Sequence, residues 1–112
     1  MNNEFIKEIK GKEYHFKFKS KKLVDLEKIT GKTIVDLLHE MNFTNLSRIL
    51  KYSCLEEIDE YELLDSLLEE LSLEEVVIHV ILPILKVSGI ISQKDLDKIN
   101  EKMTTEETDQ KN

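Results

Sequence analysis

Alanine and tryptophan are absent from this chain, and cysteine, proline and arginine each occur once. A lone cysteine, Cys54, excludes an internal disulfide, and no basic n-region followed by an apolar h-region opens the sequence, so an intracellular protein is expected. Long apolar runs are also missing. The longest, Val76 to Val87, is 12 residues and is interrupted by His79, Pro83 and Lys86, too short for a bilayer, so no membrane partner is expected. Excess positive charge is lacking too. A net charge of −7 and a pI near 5.0 argue against a dedicated nucleic-acid binder, because such proteins draw most of their affinity from neutralising phosphates.

What the chain does have is aliphatic bulk. Its 112 residues include 16 Leu, 12 Ile and 6 Val, enough to exclude wholesale disorder despite 35% charged residues and to support one small domain. The charge is unevenly divided. Residues 1–52 carry 11 Lys/Arg against 7 Asp/Glu, a net +4, and residues 53–112 carry 5 against 16, a net −11. Two differently charged surfaces on one domain would favour head-to-tail self-association, or a client contact, that weakens as salt is raised.

The spacing of apolar residues predicts a mainly α fold: an N-terminal β-hairpin over 4–19, then five or six short helices over 20–103, all in one domain, followed by a disordered polar tail over 104–112. Alternation from Tyr14 to Phe18 marks a strand with one buried face. A two-residue type II′ turn at Gly11-Lys12 would pair Ile9 with Tyr14 and Phe5 with Phe18, placing Phe5, Ile9, Tyr14, Phe16 and Phe18 on a common apolar face. Ser20 is the expected N-cap of a helix with Leu23, Leu26 and Ile29 on its stripe and Gly31 at its end. Thr33 caps a second helix, and Thr44 or Asn45 opens a third. Asp59 caps a fourth, carrying Leu63, Leu64, Leu67, Leu68 and Leu71 on one stripe. Ser72 with Glu75 forms a capping box for a fifth, nearly all apolar to Val87, kinked at Pro83 and ended by Gly89. Ser92 caps a sixth, running to about Met103. The fifth helix belongs at the centre of the core or at a subunit contact, and Leu64, Leu68, Val76, Val80 and Leu85 are the candidate partner or self-association surface.

Catalytic constellations do not assemble. Gly31-Lys32-Thr33 ends like a phosphate-binding loop, but Leu26 stands where the motif requires its first Gly, and the tripeptide follows a helix rather than a strand. His15, His39 and His79 lie far apart, and Glu75 with His79 is a single pair where a metal site needs more, so a hydrogen bond between the two is the simpler expectation. Cys54 has acidic neighbours, which raise a thiol pKa, and reads as a small core residue. The acidic run from Glu56 to Glu62 lacks the central Gly of a calcium loop. Lys17, Lys19, Lys21 and Lys22 interleave with Phe16 and Phe18, but strand alternation separates the aromatics from Lys17 and Lys19, which weakens a single-stranded nucleic-acid reading. No catalytic residue, cofactor or metal is expected, and binding remains.

The hairpin Ile9-Lys10-Gly11-Lys12-Glu13-Tyr14-His15-Phe16-Lys17-Phe18, the helix Leu23 to Ile34 with its Leu26-Glu27-Lys28-Ile29-Thr30-Gly31-Lys32-Thr33 run, and the later Leu71-Ser72-Leu73-Glu74-Glu75 resemble the tail assembly chaperones of long-tailed bacteriophages and prophages of low-GC Gram-positive bacteria. The resemblance spans residues 5–88. It implies a non-catalytic chaperone of the host bacterial cytoplasm that binds and solubilises the tape-measure protein and helps recruit tail-tube protein around it. It further implies self-association, absence from the finished virion, and in many members a longer frameshifted form. The alternatives are a small structural tail adaptor or completion protein that stays in the virion, and a small nucleic-acid-binding regulator using the lysine cluster.

Overall fold

A computed structural model describes residues 3–99 and 101. A two-stranded antiparallel hairpin, β1 (Phe5–Ile9) and β2 (Lys12–Phe16), precedes α1 (Ser20–Thr30), α2 (Ile34–His39), α3 (Phe43–Ser53) and α4 (Glu62–Leu68). Then α5 (Leu73–Val76), a π turn (Val77–Ile81) and α6 (Leu82–Val87) follow one another without a break, and α7 covers residues 93–99. The expected hairpin-then-helices order is therefore present. The polar tail over 104–112 and the helix end near Met103 lie outside the described residues.

The hairpin register differs from the expected one by two residues. Lys10 and Gly11, at φ 52° and 79°, form the turn, with both central residues left-handed as in a type I′ turn. Ile9 then faces Lys12, Lys7 faces Tyr14 and Phe5 faces Phe16. A one-residue slip would exchange the faces, whereas a two-residue slip keeps them. Phe5, Ile9, Tyr14 and Phe16 accordingly still share the inward face, with the Phe5 and Phe16 rings 6.2 Å apart. Lys10 tolerates a conformation usually left to Gly, and its ammonium reaches Glu69 of the α4 C-terminus at 2.7 Å. Phe18 lies beyond the strand, buried, with its N–H donating to Ser88 Oγ at 2.8 Å.

Several caps fall one to three residues from their expected places. Lys19, not Ser20, is the N-cap of α1 and makes no side-chain bond. Asn42, rather than Thr44 or Asn45, caps α3, its side chain accepting from Asn45 N–H at 2.9 Å. Asp59 accepts from Tyr61 N–H in the turn ahead of α4 instead of capping the helix directly. In α1 the expected stripe residue Ile29 is exposed, and the Thr30 hydroxyl turns back onto the Leu26 carbonyl at 2.8 Å. The capping boxes Thr33–Asp36 and Ser72–Glu75 are both present, and Ser92 with Asp95 repeats the arrangement before α7. Gly89, at φ 77°, ends α6: its N–H donates to Lys86 and that of Ile90 to Leu85, the paired bonds of a Schellman stop.

Pro83 does not break the long helix. Its ring would meet the His79 carbonyl in a regular α-turn. The chain widens instead, with Leu82 N–H bonding to Val77 O five residues back, just ahead of the proline.

This helix forms the centre of the core. Val76, Val80, Ile81, Ile84 and Leu85 are wholly buried among Phe16, Leu26, Leu37, Leu46, Ile49, Leu50 and Leu63. Buried polar groups are matched internally: Ser53 Oγ donates to Ile49 O and Ser47 Oγ to Thr44 O.

Candidate functional site

The five residues expected to form a partner surface do not form one. Leu64, Val76, Val80 and Leu85 are buried, and Leu68 packs half-buried against them. An apolar helix supplies either an interface or a core, and in this fold the hairpin and α3 cover it. The aromatic hairpin face of Phe5, Ile9, Tyr14, Phe16 and Phe18 is likewise turned into the core.

A groove of about 640 Å³ lies between the start of α1, the end of α3 and the loop leading to α4. Lys19, Lys22 and Lys51 stand with Tyr52, Leu55 and Ile58, and Cys54, Glu56, Glu57, Asp59 and Glu62 complete the lining. The basic first half and the acidic second half of the chain therefore meet along one groove. Leu55 presents a 40% exposed side chain there.

The loop wall of this groove is pinned to the hairpin. Ser53 O accepts from Lys17 N–H, and Leu55 N–H donates to His15 O, both at 2.8 Å, so residues 53–55 run beside β2 through one isolated antiparallel bridge between Phe16 and Cys54. Glu56 then takes the next backbone donor: one oxygen accepts from His15 N–H at 2.9 Å and the other meets His15 Nδ1 at 2.8 Å. Nε2 of the same ring lies 3.3 Å from Glu13.

The electrostatics follow from this clamp. The hydrogen bond to Glu56 raises the His15 pKa, and the nearby charges of Glu56, Glu13 and Glu4 add to it against a smaller desolvation effect. Partial burial would raise the Glu56 pKa, but the hydrogen bonds from His15 and Cys54 outweigh it and leave the carboxyl below its ordinary value. Burial pushes the Cys54 thiol up to about 11, so it stays protonated at neutral pH, as the sequence suggested. Glu75 does not hydrogen-bond His79: its carboxylate accepts from Ser72 N–H at 2.9 Å, and His79 is exposed. Among the described residues no three His, Cys, Asp or Glu side chains are grouped to hold a metal, and no helix is long and apolar enough to cross a membrane.

Sequence reasoning missed the groove and the clamp. The clamp joins residues 41 positions apart, and His15 and Glu56 look like ordinary polar positions until β2 and the post-α3 loop pair. The one available signal was the alternation of Tyr14, Phe16 and Phe18, which put His15 on the outward face. Comparison of the chain with protein-family models, curated proteins and solved structures found no match.

Proposed function

We propose that this protein is a tail assembly chaperone of a long-tailed bacteriophage or prophage, acting in the host cytoplasm to bind and solubilise the tape-measure protein and to help recruit tail-tube protein. The reading rests on the hairpin, the Leu23 to Ile34 helix and the Leu71 to Glu75 segment described above. The structural observation that carries it furthest is the open groove with apolar Leu55 and Ile58 between lysines and carboxylates. Such a surface suits a polypeptide segment presenting both apolar and charged side chains. The thiol beside it is protonated and tied to Glu56, which favours binding over nucleophilic chemistry.

In this proposal the groove takes over the role first given to the long helix. Client and self-association contacts run through Leu55, Lys22 and Lys51, while Val80 and Leu85 hold the domain together. Co-expression with the tape-measure protein of the same genome tests the reading: a client that stays insoluble and fails to co-purify overturns it. Mass spectrometry of purified particles separates a chaperone, absent from virions, from a structural adaptor that is retained.

A further inference from the structure

The two edges of the hairpin are treated differently. On β2, His15 sends its N–H to Glu56 and its C=O to Leu55 N–H, so its backbone groups point away from β1. His15 faces Ile6, and in an antiparallel ladder both members of such a pair turn their N–H and C=O outward. Two residues along, the Glu8–Glu13 pair does the same. The outward N–H and C=O of Ile6 and Glu8 find no partner among the described residues, and the Ile6 side chain is 53% exposed. The β1 edge is thus an unfilled ladder position.

The side chains beside it choose the occupant. Ile6 and Glu8 alternate along β1 and share the outward face with Glu13 and His15, behind which stands Glu56, and Glu4, just ahead of the strand, lies close enough for its charge to act on His15. A second copy of this strand is a poor fit. Antiparallel pairing centred on Lys7 sets Lys7 against Lys7, and pairing centred on Ile6 sets Glu4 against Glu8 twice, with like charges opposed in both registers. A strand with basic residues on either side of an apolar one faces carboxylate, isoleucine and carboxylate in turn.

We propose that the outer edge of β1 docks an extended segment of a partner protein with the alternation basic, any residue, apolar, any residue, basic, which adds to the hairpin as a further antiparallel strand. Backbone ladder bonds supply attachment without sequence preference, and Glu4 and Glu8 supply the selection. This surface does not depend on the chaperone reading, and the groove lies on the opposite side of β2.

The test is a nuclear magnetic resonance titration of the isotopically labelled full chain with the capped peptide Thr-Lys-Thr-Ile-Thr-Lys-Thr. The expected result is shifts centred on the Ile6 and Glu8 amides together with slowed exchange of those two hydrogens. A peptide with both lysines replaced by glutamate should bind about tenfold more weakly, and the variant Glu4→Lys/Glu8→Lys should reverse that preference. N-methylation of the peptide isoleucine should abolish the shifts, because it removes a ladder donor. Shifts centred elsewhere, equal binding of the N-methylated peptide, an unreversed charge preference, or concentration-dependent shifts at Ile6 without any peptide would each overturn the proposal, the last by showing that a second copy fills the edge.

Discussion

Glu56 holds His15 at two points, the backbone N–H at 2.9 Å and the ring Nδ1 at 2.8 Å, across 41 residues of sequence. The contact fastens the loop after α3 to the hairpin and so sets one wall of the charged groove.

That clamp makes loop order pH-dependent. A histidine whose folded pKa is raised stabilises the fold fully below its ordinary value of 6.5 and loses the contribution as pH climbs through the folded value. A carboxyl whose folded pKa is lowered contributes above its ordinary 4.5 and loses this as pH falls through the folded value. The clamp should be tightest between about pH 4.5 and 6.5. Hydrogen exchange of the Leu55 amide should be slowest in that window after correction for intrinsic rates, and His15→Gln should flatten the profile. An unchanged profile in the variant would contradict the role of the ring.

The long helix yields a second prediction. Leu85→Ala should cost roughly 2–5 kcal/mol through lost burial and a residual cavity. Val80→Glu should unfold the domain, since a carboxylate there has no partner and no water. Circular dichroism with sizing chromatography distinguishes this from interface loss: a folded Val80→Glu protein with only its assembly state altered would return these residues to a partner surface.

Gly89 makes a more local claim. Its left-handed backbone ends α6, and a Cβ would meet nothing within 4 Å, so the penalty of Gly89→Ala is purely conformational. A loss of about 1 kcal/mol in a urea titration is expected, and no loss would mean that the turn re-forms without a left-handed residue.

Cys54 should behave as a buried, protonated thiol. With its pKa near 11, it should react with iodoacetamide at neutral pH only as fast as the chain opens, and urea should accelerate labelling strongly. Rapid native-state labelling at pH 7 would contradict the burial and the Glu56 contact.

Local signals in the sequence placed helix starts where a capping box closes, and missed by one to three residues at α1, α3 and α4. Thr33 with Asp36 and Ser72 with Glu75 each satisfy a helix start within four residues, so those boundaries were readable from spacing alone. The hairpin faces were equally legible because alternation survives a two-residue slip, but the register was not. It depends on Lys10 accepting a left-handed conformation beside Glu69, a residue far along the chain. The use of Val76, Val80 and Leu85 was ambiguous for a related reason: an apolar helix face reports that it will be covered and does not report by what. The groove was invisible because its lysines come from the start of α1 and the end of α3, and its carboxylates from the loop after α3 and the first residue of α4.

The most direct test of the chaperone account is to co-express the tape-measure protein of the same genome with the wild-type chain and with a Leu55→Glu/Lys51→Glu variant that remains folded by circular dichroism. The account predicts a soluble, co-purifying client with the wild type and an insoluble client with the variant. A client that is insoluble in both cases, or equally soluble in both, would contradict it.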